Sequence, residues 1–183
     1  YKVGEIVLSK SGWQMFSISD ESTLKKVDKR INPLSLALGS IGMPGLTAYF
    51  GLFRIGKIKK GETVVVSAAS GAVGSVVGQI AKEIGCTVIG IVGSEKKVNY
   101  IKDELKFDYG LNYNYAGWEE ELKSIAKDNV DIYFDNVGGV ISDNVIENLN
   151  VGARVLICGQ ISQYNNMKPE LGPRNYWQFL TKK

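Results

Sequence analysis

The chain has no histidine and only two cysteines among its 183 residues, and these shortages remove much familiar chemistry at once. A Ser-His-Asp triad, a Cys-His pair and the usual histidine-bearing zinc site all need side chains that are missing. Cys86 falls at the start of one predicted strand and Cys158 at the end of another, at opposite edges of a parallel sheet. That placement argues against a disulfide and a shared metal, and it fits a reducing cytoplasm. An excess of either charge is also lacking. The net charge is +3, and the lysines are scattered rather than interleaved with aromatic residues, so no nucleic-acid partner is expected. Apolar runs stop well short of bilayer-spanning length, nothing at the start resembles a secretion signal, and repeats and low-complexity linkers are absent. A composition of 44% hydrophobic and 22% charged residues implies a soluble globular chain with a sizeable core, organised as one main domain plus a remnant.

What is present is a strand delivered into a glycine turn at the mouth of a helix, Glu62 to Gly74, ETVVVSAASGAVG. Thr63 to Ser67 is rich in β-branched residues with few polar interruptions, as in a strand covered on both faces. From Ala72 the apolar residues Val73, Val76, Val77, Ile80, Ala81 and Ile84 take helical spacing, with Gly85 in the place of a C-terminal stop. Ala69, Gly71 and Gly74 occupy the glycine positions of the dinucleotide fingerprint in the form A-x-G-x-x-G. Gly71 lets the main chain approach a pyrophosphate, Gly74 lets helix and strand pack closely, and the first helical turn offers N–H groups with the helix dipole behind them. Thr87 to Val92 supplies the second parallel strand. An acid at its end would bind the ribose hydroxyls of NAD, whereas Gly93 and Ser94 stand there, with Lys96 and Lys97 in the following turn. That favours NADP. Glu95 would serve an NAD ribose if it ended the strand, and the lysines taken alone also fit an exposed helical turn.

Alternation continues with a helix around Lys96 to Leu105, a strand at Tyr109–Leu111, a helix around Trp118 to Lys127, a strand at Val130–Phe134, a helix over Val140 to Leu149 and a strand at Arg154–Cys158. Right-handed crossovers then predict an α/β Rossmann fold, a doubly wound parallel sheet of order 3-2-1-4-5. No sixth strand is evident after it. Trp177 to Leu180 looks helical, and the sheet is left with an unprotected edge. The opening segment YKVGEIVLSKSGW is similar to hairpin material of another β domain entered midway, so truncation is expected at both ends. With no histidine, chemistry must draw on a cofactor plus hydroxyl, amide, lysine or carboxylate groups, which matches hydride transfer.

Four ordered segments carry a family resemblance: Gly42 to Tyr49 (GMPGLTAY), Ala68 to Gly74 (AASGAVG), Phe134 to Gly139 (FDNVGG) and Cys158 to Asn165 (CGQISQYN). Together they resemble the zinc-independent branch of the medium-chain dehydrogenase/reductase superfamily, specifically the prostaglandin reductase and alkenal double-bond reductase family, over almost the whole chain. The resemblance implies a remnant of a GroES-like substrate domain at 1–40 and an NADP-binding Rossmann domain at 41–183 that lacks its last strand. It also implies NADPH-dependent reduction of the C=C bond of α,β-unsaturated aldehydes and ketones, with hydride passing to the β carbon and the enolate then protonated. Gly71, Ala72, Val73 and Gly74 would hold the pyrophosphate. Lys97 and Tyr113 would flank the 2′-phosphate, Ser94 would bind the cofactor as well, and Asn136, Cys158, Gly159, Ile161, Ser162 and Tyr164 would line it.

Tyr164 is the first catalytic candidate, because a phenol can hydrogen-bond a substrate carbonyl or relay its proton. Packing against the cofactor is an equal alternative. Tyr49 is the second, in a loop with Thr47 that would cross near the nicotinamide, beside a structural alternative. Asp135 is expected to cap rather than catalyse, and no metal is expected. A zinc-independent quinone reductase and a catalytically inactive NADP-binding fragment remain as alternatives, and superfamily members often pair as homodimers through the sheet edge. The Y-x-x-x-K spacing of Tyr164 and Lys168 is set aside because Pro169 follows at once. Gly51 to Lys57 is no P-loop, since Ile58 replaces the magnesium-binding hydroxyl and the segment precedes the buried strand.

Overall fold

The computed structural model describes residues 1–127, 129–168, 171–172, 175 and 177–182. The first forty residues carry little regular structure. Val7–Leu8 (β1) pairs antiparallel with Lys25–Lys26 (β2), a two-residue ladder formed across a long excursion rather than a tight hairpin. Met43–Phe50 (α1) then forms a helix and runs on to Ile55 with wider turns, closed by Gly56 N–H donating to Gly51 O at 2.8 Å. The Gly42 to Tyr49 segment is therefore helix and not the loop expected. Pro44 is tolerated because it falls in the first turn, where its missing N–H has no helical acceptor.

Thr63–Ser67 (β3), Thr87–Val92 (β4), Tyr109–Asn112 (β5), Val130–Asp135 (β6) and Leu149–Ile157 (β7) build a five-stranded sheet in the order β5-β4-β3-β6-β7. Every pairing in it is parallel, so the doubly wound order expected from the sequence is the one observed. Gly74–Ile84 (α2), Glu95–Asn99 (α3), Trp118–Ala126 (α4) and Gly139–Glu147 (α5) are the crossovers, and Trp177–Thr181 (α6) follows the sheet. The α3 helix extends to Glu104, again with a wide closing turn from Leu105 N–H to Tyr100 O.

Period-two alternation on the central strands makes two cores. Val64 and Val66 of β3 and Ile132 and Phe134 of β6 face α1 and α2 with Val77, Ala81 and Phe107. Val65 and Tyr133 face the other way, toward Trp118 and Leu122 of α4 and Val145 of α5. Each fully buried valine or isoleucine stabilises by about 1.5–3 kcal/mol, which explains why strands with apolar residues on both faces stay in the middle. Gly85 ends α2 in the left-handed region, with φ 91°.

Several boundaries differ from expectation. Helical hydrogen bonding starts at Gly74, two residues after Ala72, because the turn needs Ala68 in a left-handed conformation before the chain can coil. Leu149 belongs to β7 and not to α5, and a register shift between Val130 and Ile132 absorbs the extra residues at the start of that strand. Cys86 lies just before β4 and Cys158 just after β7, at the amino and carboxyl rims; both thiols are free, Cys86 buried and Cys158 exposed. Tyr164 to Lys168 lie in turns and bends, while Pro169 falls outside the described residues. Among the described residues β7 pairs only with β6, and Gly152 N–H on β7 donates to Lys182 O.

Gly78 lets α2 lie against Phe107, since a Cβ there would fall 1.8 Å from the ring. Ala in place of Gly inside a helix gains about 1 kcal/mol, whereas overpacking a buried site costs about 1–3 kcal/mol or more. Phe107 is itself buried, so the clash is expected to dominate. Urea unfolding of Gly78→Ala should show a net loss of about 1–2 kcal/mol, and a gain in stability would contradict the close packing.

Candidate functional site

All five parallel strands end at one rim, and each contributes to a single groove of about 280 Å³ there. The turn after β3 supplies Ala68, Ser70 and Gly71, while β4 and the residues beyond it supply Val92, Gly93 and Lys97. Tyr113 comes from beyond β5, Val137 from beyond β6, and Ile161 and Ser162 from beyond β7. The groove thus opens at the topological switch point, where β3 is flanked by β4 on one side and β6 on the other.

Backbone geometry forces the composition of the first turn. Ala68 takes φ 49°, and its carbonyl accepts from Gly71 N–H at 2.9 Å, which folds the chain back over the strand end. A Cβ on Gly74 would lie 2.4 Å from that same carbonyl, so only glycine fits where α2 begins. Ala69 N–H bonds Ile91 O at 3.1 Å, which ties the turn to β4. The first turn of α2 holds N–H groups that no helical carbonyl can accept, and the helix dipole adds partial positive charge at that end. Ala72 is exposed on the turn, and Val73 packs inward against the core.

The β4 end resolves the question over Glu95. The strand stops at Val92, Ser94 caps α3 by accepting from Lys97 N–H, and Glu95 is an exposed first-turn residue outside the groove. Lys97 is the only charged side chain among the described residues that line the groove. A Cβ at Gly93 would sit 2.7 Å from Tyr113 Oη, so the phenol occupies the space an acidic side chain would need. Asn114 contributes without being foreseen: its Nδ2 donates to Gly93 O at 3.0 Å and holds the β4 and β5 turns together.

A buried polar cluster organises the opposite wall. Asp135 Oδ1 accepts from Val137 N–H, Gly138 N–H and Tyr133 Oη, all at 2.9 Å, and from Ser67 Oγ at 3.2 Å, while Oδ2 accepts from Ser142 Oγ at 2.6 Å. Asp135 was expected to cap, but its bonds to Val137 and Gly138 N–H close the turn before α5, whose N-cap is Gly138 with no side-chain cap. Asn136 N–H donates to Ser67 Oγ at 2.9 Å and Asn136 Nδ2 to Ser67 O at 2.8 Å, stitching the ends of β3 and β6. Burial first, and then the Asp135 charge, push the Tyr133 phenol well above its ordinary value and keep it a donor. The sequence carried only part of this signal: Asp135 was legible as a structural rather than a catalytic side chain, while Ser67, Tyr133 and Ser142 gave no local cue.

The β7 loop closes against that cluster. Cys158 N–H and Gly159 N–H donate to Asp135 O at 2.8 and 3.1 Å, Ile161 N–H donates to Asn136 O, and Ser162 Oγ donates to Val137 O at 2.7 Å. Tyr164 folds back so that its Oη accepts from Gln160 N–H at 3.0 Å, which leaves its own hydrogen free to donate. A Cβ on Gly159 would crowd that oxygen at 3.0 Å. Of the site candidates, Gly71, Lys97, Tyr113, Ile161 and Ser162 meet in the groove itself. Ala72, Val73, Gly74, Ser94, Asn136, Cys158, Gly159 and Tyr164 lie in the turns that frame it. Tyr49 does not join them. It sits on α1 with its ring 4.6 Å from Phe53, lining a separate hollow with Ile80, Glu83 and Leu105 along α2, and Thr47 donates to Met43 O within the same helix.

The fold and the rim groove define a Rossmann-type α/β domain with a cleft at its switch point. The sequence profile of the zinc-binding dehydrogenase family matches residues 72–176, more than half of the chain, and the chain belongs to that family. It is 53% identical over 170 residues to prostaglandin reductase 1 of Oryctolagus cuniculus, covering 91% of this chain and 48% of that protein. To the NADP(+)-dependent 2-alkenal reductase of Nicotiana tabacum it is 44% identical over 188 residues, covering 100% of this chain and 54% of that protein. The crystal structure of CurA from Vibrio vulnificus in complex with NADPH superposes with a TM-score of 0.90 at 46% identity, over 100% of this chain and 54% of that one. The chain spans about half the length of the curated relatives it matches. Despite the family's name, these residues do not fit zinc: histidine is absent, the two cysteines lie at opposite rims, and no cluster of three ligating side chains occurs among the described residues.

Cys158 gives a direct probe of this rim. Although Cys158 is an exposed residue, partial desolvation of its sulfur first, and then the Asp135 charge, raise its thiol above the ordinary value, so little thiolate is present at pH 7. Iodoacetamide labelling of Cys158, followed by peptide mapping against pH, is expected to show a midpoint above the ordinary thiol value of about 8.5. A midpoint at or below that value would contradict the arrangement.

Proposed function

We propose that this chain is the NADPH-binding half of a reductase that reduces the C=C bond of α,β-unsaturated aldehydes and ketones. The observation that carries the proposal is the meeting of Gly71, Lys97 and Tyr113 with Ile161 and Ser162 in one groove at the carboxyl rim. Gly71 and the start of α2 hold the pyrophosphate, where main-chain N–H groups and the helix dipole favour an anion. Lys97 and Tyr113 take the 2′-phosphate, and Ser94 keeps α3 in register so that Lys97 reaches it. Tyr113 also stands where the acid of an NAD site would be, so the same side chain selects for the phosphate and against its absence. Asn136 and the Cys158 to Ser162 loop line the remainder of the cofactor.

When bound, NADPH supplies a hydride to the β carbon of the enone or enal. The negative charge that develops on the substrate oxygen is met by a phenol hydrogen, for which Tyr164 is the candidate, because its Oη already accepts from Gln160 N–H and has its proton left to give. Residues 1–40 belong on this reading to the substrate domain and residues 41–183 to the NADP domain. The similarity to prostaglandin and 2-alkenal reductases supports the reaction class.

Fluorescence titration is expected to give tighter binding of NADPH than of NADH. An exposed charged contact contributes about 1 kcal/mol, so Lys97→Ala should weaken NADPH about fivefold and leave NADH unchanged. Tyr113→Phe should weaken NADPH in the same direction. Loss of NADPH absorbance with 2-alkenals should accompany binding. Equal affinity for the two cofactors would contradict the phosphate assignment, and turnover with quinones alone would contradict the substrate class.

A further inference from the structure

Asp135 is the only charged side chain buried among the described residues, at 5% exposure, and five donors converge on its two oxygens. Those donors come from four different places: the end of β3 (Ser67), the core face of β6 (Tyr133), the turn that follows β6 (Val137 and Gly138) and α5 (Ser142). The turn so fixed is also the scaffold of the β7 loop. The carbonyls of Asp135, Asn136 and Val137 accept from Cys158, Gly159, Ile161 and Ser162 in succession. Ile161 and Ser162 are groove residues, whereas the Asp135 carboxylate is directed into the interior, satisfied on every side.

The geometry points to Asp135 as the positioning residue of the groove wall formed by Val137, Ile161 and Ser162: its carboxylate orders two successive turns, and through them sets cofactor affinity without touching the cofactor. This inference rests on the NADPH reading above. A charged acceptor makes shorter and stronger hydrogen bonds to main-chain N–H groups than a neutral one does. An amide in its place offers one accepting oxygen to the same crowd of donors and turns an N–H₂ group toward the others. Local shape survives, because Ser142 Oγ can accept from that amide and donate toward Tyr133. The turn loses its anchor, and the β7 loop, which hangs on the turn carbonyls by main-chain bonds and the Ser162 hydroxyl, loses its register.

The comparison that separates positioning from plain stability uses a second carboxylate. Asp108 stands at the amino rim, where Oδ2 accepts from Val88 N–H at 2.7 Å and Oδ1 pairs with Lys82 Nζ at 2.6 Å, remote from the groove. Asp135→Asn and Asp108→Asn should both lower the thermal midpoint of the chain. Only Asp135→Asn should raise the NADPH dissociation constant, by about tenfold or more, with Asp108→Asn remaining within about twofold of the unsubstituted chain. Ser142→Ala removes one donor from Oδ2 on the side away from the groove and should raise the constant by about threefold; this variant decides the matter if Asp135→Asn does not fold. NADPH binding by Asp135→Asn, or by Ser142→Ala, that equals the unsubstituted chain while the midpoint falls would overturn the positioning role alone. An unsubstituted chain that binds no NADPH would overturn the functional reading and this inference with it.

Discussion

Parallel pairing in register is the constraint on which the rest of the structure depends. Because β3 to β7 all run the same way, their carboxyl ends finish at one rim, and five loops distant in sequence are brought within a groove's width. The alternation of Val64 and Val66 against Val65, and of Ile132 and Phe134 against Tyr133, fixes that register. A slip by one residue would turn each of these side chains to the opposite layer of helices. Hydrophobic burial thus does more than hold the sheet together; it sets which loop residues can meet.

Carboxylates secure the strand ends at both rims by the same physics. At the amino rim Asp131 accepts from Thr63 N–H and from Asn150, Asp108 accepts from Val88 N–H, and Glu62 pairs with Arg154, whose guanidinium also reaches Gly56 O and Asp131 O. These contacts satisfy main-chain donors where strands begin and leave the rim plain. At the carboxyl rim the chain uses one buried carboxylate, Asp135, to gather donors from several elements, and it leaves the glycine turn after β3 open beside it. The asymmetry follows from what each rim must do. A strand start needs only to be tied down, whereas a strand end here must also present a concave surface of backbone to a ligand.

Much of this was legible in the residues. The β-branched run from Thr63, the glycine pattern through Gly74 and the stop at Gly85 are local signals, and each produced the element it predicted within two residues. The strand order followed from alternation and crossover handedness, which are also local. Lys97 and Tyr113 were set near one another by the family resemblance, and the strands they follow, β4 and β5, are neighbours in the sheet. What could not be read was whatever depends on contacts between distant segments. The helix over Met43–Phe50 stands where the sequence reading expected a loop, and Pro44 falls in its first turn, where proline is permitted. The helix holds the Tyr49 ring against Phe53. The partners of Asp135 likewise carry no mark in the sequence, since Ser67 and Ser142 lie sixty-eight and seven residues away from it.

The account stands or falls on where a phosphorylated dinucleotide settles on the chain. Hydrogen exchange measured amide by amide, with and without saturating NADPH, reports this directly. Protection is expected on the glycine turn from Ala69 to Gly74, around Lys97 and Tyr113, and along Cys158 to Ser162, with little change at the amino rim. Protection confined to the hollow beside Tyr49 and Phe53, or to the face formed by α1 and the first forty residues, would contradict the account.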